Sequence, residues 1–156
     1  MNRVTSQFCD FENPVHRKAV LSLLDHYMCD PMGNAPSLTK MQQLQLTEGL
    51  GSHPSALVLF VLYNNEVAGM AICFINFSTF KVKPYLYIHD LIVYKTWRGK
   101  GIGRFLLNEL IRISEERGYC KLTLEVREDN LAAQALYTSI GFKDCEPPMW
   151  FWTKQL

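Results

Sequence analysis

The sequence predicts a mixed α/β, or α+β, domain with helices packed on a largely antiparallel sheet. Three observations predict it. Apolar runs of strand length recur at 56–63, 67–77, 85–94 and 122–126. Other stretches carry apolar residues at helical spacing behind recognisable start signals. The two kinds of segment interleave, with no linker, repeat or low-complexity tract between them, so residues 1–156 read as a single domain of ordinary size.

Each element has its own justification. Val4 to Phe11 reads as a first strand, ended by Asn13-Pro14, where Asn caps a helix and Pro occupies its first position. That helix carries Val15, Ala19, Leu23 and Tyr27 on one face. Asp30 to Pro36 is dense in turn residues, and Ser37 is the expected cap of a second helix bearing Met41, Leu44 and Leu50, closed by Gly49 and Gly51. Ala56 to Tyr63 is a buried strand, Asn64-Asn65 a turn, and Val67 to Phe77 the returning arm of a hairpin. Tyr85 to Tyr94 is a further strand. Ile102 to Arg117 is a helix with Ile102, Phe105, Leu106, Leu110 and Ile113 inward and Gly118 as its stop. Leu122 to Val126 is a strand, and Asn130 to Ile140 a helix closed by Gly141. Met149 to Thr153 is expected as a last core strand, its aromatic side chains alternatively forming half of a homodimer seam.

Composition bounds the function. Sixteen Lys and Arg against fifteen Asp and Glu give a net charge of +1, which argues against nucleic-acid or membrane-surface binding. A 48% hydrophobic content argues against disorder. The five cysteines show no metal-ligand spacing with the four histidines, so no metal is expected and the thiols read as structural, in a reducing compartment. Met1 to Asp10 lacks an apolar signal core and no apolar run approaches a bilayer's thickness, so a cytoplasmic protein is expected.

The stretch Leu91-Ile92-Val93-Tyr94-Lys95-Thr96-Trp97-Arg98-Gly99-Lys100-Gly101-Ile102-Gly103-Arg104 carries the most chemical information. A strand enters a glycine-rich turn from which a helix opens directly. The first turn of a helix leaves backbone N–H groups unpaired at the positive end of its dipole, and glycines let a phosphate approach them. Arg98 and Arg104 add charge beside the turn. A P-loop would need Ser or Thr where Gly101 stands, and a dinucleotide fingerprint would need a small residue where Leu106 stands.

Arg98-x-x-Gly101-x-Gly103, preceded by Leu91-x-Val93, resembles the acyl-CoA signature of the GNAT superfamily of N-acetyltransferases. Asn130, Ala133, Tyr137 and Gly141-Phe142 resemble its second signature, and the element order matches nearly the whole chain. The resemblance implies a twisted sheet of six to seven strands flanked by about four helices, with the parallel strands 85–94 and 122–126 splayed apart. It implies acetyl-CoA as co-substrate, the pyrophosphate held by Arg98, Gly99, Lys100, Gly101, Ile102, Gly103 and Arg104. The pantetheine arm would pair with the backbone of Leu91, Ile92 and Val93 like an added strand. A backbone N–H near Leu91 or Val93 would face the thioester oxygen. Asn130 would start the following helix and touch the arm.

Acetyl transfer needs a neutral amine. For an alkyl amine of pKa near 10.4, only about one molecule in 2,500 is neutral at pH 7, so a general base is expected. The resemblance implies Tyr137 as the acid for the leaving thiolate. Two residues compete as base: Glu125, a carboxylate in the apolar strand Leu122–Val126 that matches protein N-terminal acetylating members, and His89, where polyamine-acetylating members carry a Glu. Asp25, Asp30, Glu48 and Asp90 form an expected acidic lining that favours a small polyamine-like amine as acceptor. A protein or peptide N-terminus, an amino acid and an aminoglycoside remain open. The rival classes are a non-catalytic acyl-CoA-binding module and a nucleotide-binding protein.

Overall fold

The computed structural model describes residues 3–156. Met1 and Asn2, the start of the segment read for a signal, lie outside the described residues. The chain divides into two compact units, one ending at Glu125 and the other Val126–Leu156.

The first unit holds a five-stranded sheet in the order of the chain. Strand β1 (Val4–Phe8) pairs with β2 (Ala56–Tyr63), β2 with β3 (Glu66–Ser78), and β3 with β4 (Lys83–Val93), all antiparallel. Strand β5 (Leu122–Leu124) pairs with β4 in parallel. The β2–β3 hairpin turns at Asn64 and Asn65, whose φ values of 51° and 68° are those of the mirror-image turn that matches strand twist.

Helix α1 (Pro14–Met28) starts as its sequence dictates: the Asn13 carboxamide accepts the Val15 N–H and Pro14 follows directly. Its inward stripe is Val20, Leu23 and Leu24, flanked by Ala19 and Tyr27, while Val15 is exposed. This stripe meets Val58, Phe60, Met70, Ile72 and Ile92 on one face of the sheet. Helix α2 (Lys40–Ser52) begins at Thr39 rather than Ser37, because Thr39 and Gln42 form a reciprocal capping box. It also runs through Gly49 and Gly51 instead of stopping there. A side chain at 51 would sit 3.0 Å from Phe11 Cβ, so that glycine admits Phe11 against the helix. Helix α3 (Ile102–Glu116) buries Ile102, Leu106, Leu107, Leu110 and Ile113 and packs on β2, β3 and β4.

The β3–β4 register slips by one residue: Ile72 lies opposite Asp90 and Cys73 opposite Ile88, leaving His89 as the extra residue of a β-bulge. Because side chains alternate along a strand, the bulge moves Asp90 and Ile92 to the face shared with Ile72 and Met70, and leaves Leu86 and Ile88 on the face shared with Ile75 and Cys73.

The second unit carries α4 (Leu131–Ile140), capped by the Asn130 carboxamide on the Ala133 N–H and closed at Gly141, whose φ is 105°. Among the described residues there are five strands, fewer than the six to seven expected, and Met149–Thr153 forms none. Pro147 and Pro148 supply no ladder donors before that segment, and Trp150, Phe151 and Trp152 are exposed. No helix among the described residues is long and apolar enough to cross a membrane.

Candidate active site

The glycine turn is built on backbone conformation. Gly99 and Gly101 sit at φ +74° and +78°, in the left-handed region that side chains disfavour, and a Cβ at either would meet nothing within 4 Å. The glycines are therefore required by the path of the chain, not by crowding. Gly101 is the N-cap of α3 and offers no capping side chain, so the first turn of α3, with Gly103 and Arg104, starts without a side-chain acceptor. Lys100 lies over the Trp97 ring at 4.6 Å, keeping one cation beside the turn.

The Arg98 guanidinium, expected to add charge beside the turn, has two partners within the chain. Its Nε donates to the Val93 carbonyl at 3.1 Å and its Nη2 to Asp30 Oδ2 at 3.1 Å. The Met32 N–H first, and Arg98 with it, hold the Asp30 carboxyl below the usual carboxylate range.

The parallel pairing of β4 with β5 ends at Ile88 and Leu124. From His89 to Val93, β4 has no strand partner on that side among the described residues, so the backbone of Leu91, Ile92 and Val93 borders an open edge. Helix start, basic turn and open strand edge are thus contiguous in the chain.

At the place where the pairing ends, the two rival bases flank Tyr87. The Tyr87 hydroxyl donates to Glu125 Oε1 at 2.8 Å. Burial, followed by that carboxylate, pushes the phenol up to about 12, so Tyr87 keeps its proton and acts as a donor. The His89 ring lies edge-on to Tyr87 and to Phe74, each at 5.8 Å between centroids. Its Nδ1 is 2.9 Å from Asp90 Oδ2, an ion pair when the imidazole is protonated. The Asp90 hydrogen bond raises the His89 pKa, and the charges of Asp90 and Glu125 act in the same direction against partial desolvation. The signal for Tyr87 was present in Tyr87-x-His89-Asp90, but its partner lies 38 residues away, and only the parallel register brings them together.

Two of the four carboxylates expected to form an acidic lining have partners within the chain. Asp30 and Asp90 are each committed to a cationic or cationisable partner, Arg98 and His89. In the second unit, the Asn130 carboxamide oxygen is used as the cap of α4, and Tyr137 meets the Phe142 ring at 5.9 Å. Among the described residues no group of three metal-ligating side chains is present.

Residues 20–142 match the model of the acetyltransferase (GNAT) family. The chain belongs to that family. Among curated proteins it is 37% identical over 90 residues to ribosomal protein bS18 alanine N-acetyltransferase of Haemophilus influenzae, covering 58% of this chain and 57% of that one. It is 30% identical over 78 residues to thialysine N-epsilon-acetyltransferase of Bos taurus, covering 50% and 45%. The chain thus aligns with about half the length of these relatives. A crystal structure of a probable acetyltransferase superposes with a TM-score of 0.81 at 18% identity, over 99% of this chain and 97% of that one, which establishes the mixed, mostly antiparallel GNAT fold.

Proposed function

We propose that both units form one catalytic domain, an N-acetyltransferase that moves an acetyl group from acetyl-CoA to a primary amine. The family model supports this by running across the boundary at Glu125. The observation that carries the reading is the left-handed, uncapped glycine turn set directly behind the open edge of β4.

The residues present fit acetyl-CoA. Backbone N–H groups of Gly99 to Arg104 suit a diphosphate, with Lys100 and Arg104 supplying charge, and Arg98 contributes by holding the turn. The edge of Leu91 to Val93 suits an extended amide-bearing arm. The co-substrate supplies the activated acetyl group. Glu125 is the general base: it is a carboxylate with a bound phenol, whereas His89 is biased by Asp90 toward the protonated form. Tyr137 is assigned the acid from its place in the second signature, and Asn130 the start of the helix that carries it.

The acceptor follows from charge. With Asp30 and Asp90 each paired, the support for a polycationic acceptor weakens. An α-amine, with a pKa of about 7.7–8.0, is neutral in roughly a tenth of molecules at pH 7 and asks less of a carboxylate base. The amino terminus of a peptide is therefore the first acceptor to test, in line with the protein-alanine relative, and a small polyamine-like amine the second. CoA release should be measured with alanyl peptides, polyamines, amino acids and aminoglycosides. Release with one class identifies the acceptor. Acetyl-CoA binding without release from any of them would favour a non-catalytic acyl-CoA module, and no binding at all would overturn the reading.

A further inference from the structure

Ser22, His26 and Asp30 follow one another at four-residue intervals along α1 and just past its end. Each grips a different position of the segment that leads from β4 into the glycine turn. The Tyr94 hydroxyl donates to Ser22 Oγ at 2.7 Å. His26 Nε2 accepts the Lys95 backbone N–H at 3.2 Å, and its ring meets Tyr94 edge-on at 5.2 Å. Asp30 holds Arg98, whose Nε is tied in turn to the Val93 carbonyl. Between these contacts, Trp97 lies against Tyr63 at 4.6 Å.

We propose that Ser22, His26 and Asp30 are positioning residues that brace residues 94–98, so that the glycine turn is set for a diphosphate before one arrives. This rests on the acetyl-CoA reading above. A turn with two left-handed glycines has wide conformational freedom of its own. A ligand that had to order it would lose affinity for that ordering, and a brace anchored in a packed helix removes the loss. Val20, Leu23 and Leu24 fix that helix in the core, Tyr94 packs against the same cluster, and the polar line on α1 extends the hold to Lys95 and Arg98. The brace also accounts for the engaged state of Arg98, whose guanidinium spans from the strand edge to Asp30.

The test compares acetyl-CoA with acetyl-pantetheine, which lacks the diphosphate, as donors for the wild type, Asp30→Ala, His26→Ala and Tyr94→Phe. Asp30→Ala should raise the KM for acetyl-CoA about fivefold to tenfold, the range for losing a part-exposed charged hydrogen bond, and raise the KM for acetyl-pantetheine by a clearly smaller factor. Tyr94→Phe, which keeps the ring and its packing, should raise the acetyl-CoA KM by a smaller factor with the same donor selectivity. Removing Arg98 in the Asp30→Ala background should cost less than it does in the wild type, because the ion pair between them is lost only once. Equal losses with both donors would assign these residues a merely structural role and overturn the brace, as would an unchanged KM for acetyl-CoA in all three variants. A wild type that binds acetyl-CoA while the variants bind equally well overturns the brace alone. A wild type that does not bind it overturns both proposals.

Discussion

Replacing Gly101 by alanine separates the conformational role of the glycine turn from any packing role. Gly101 lies at φ +78° and ψ 2°, and an added Cβ would meet nothing within 4 Å. The cost is therefore that of the backbone alone. Holding an L-residue in the left-handed region costs about 1–2 kcal/mol, offset by about 0.4–1 kcal/mol because alanine has less freedom to lose from the unfolded chain. The net is a destabilisation of about 0.5–1 kcal/mol, or a fall in Tm of roughly 1–4 °C at this chain length. The effect on binding should be larger. Relief of the strain rotates the peptide planes around residue 101 and turns one first-turn N–H group away from a bound diphosphate. Each charge-assisted hydrogen bond contributes about 1.5–3 kcal/mol, so acetyl-CoA affinity should fall by about 10- to 100-fold. Thermal melts and titration calorimetry on the same preparation measure both quantities. A folded Gly101→Ala protein with wild-type affinity would show that the left-handed turn does not present the binding amides. A fall in Tm of more than about 10 °C would show that a neighbour opposes the new Cβ after all.

Gly69 and Gly49 should respond in opposite directions to each other. At Gly69 an added Cβ would lie 2.6 Å from the Ile92 carbonyl oxygen, a backbone atom that cannot yield, so Gly69→Ala should lower stability by about 3 kcal/mol in urea unfolding. At Gly49, in α2 with nothing nearby, alanine should stabilise by about 0.5–1 kcal/mol. Asp90→Asn removes the main cause of the raised His89 pKa, and the imidazole titration followed by NMR should move down toward its ordinary 6.5. Since that pKa is raised in the folded protein, the pair's contribution to stability is fully present below about pH 6.5. It is lost as pH rises through the folded value, and Asp90→Asn should flatten the pH dependence of stability across that window. Tyr137→Phe should cut turnover at least about tenfold while acetyl-CoA still binds, as expected for loss of a general acid.

What the sequence made legible was local. Asn13-Pro14, the Asn64-Asn65 turn, Gly118 and Gly141 mark element ends that the structure places within a residue or two, because each acts through its own backbone. Ser37 and Thr39 could both cap a helix, and the choice was made by Gln42, whose side chain closes the box with Thr39. Met149 to Thr153 shows the opposite limit: aromatic residues fit a strand, but a strand exists only against a partner, and no partner is written in the segment itself. The candidate site divides the same way. The glycine turn is contiguous and could be read directly. Tyr87 with Glu125, and Asp30 with Arg98, are separated by 38 and 68 residues and depend on register and helix docking.

The bulge at His89 has an arithmetic consequence. Residues 86 and 88 serve the layer of α3, and residues 90 and 92 serve the layer of α1, although all four are even-numbered positions of one strand. The inserted residue acts as a parity bit for the strand. Any side chain compatible with a bulge keeps the count, whereas deleting one residue here would turn either Leu86 and Ile88 or Asp90 and Ile92 to the wrong layer. His89 is thus open to exchange in kind and fixed in number, so its chemistry can be changed without disturbing the core on either side of the sheet.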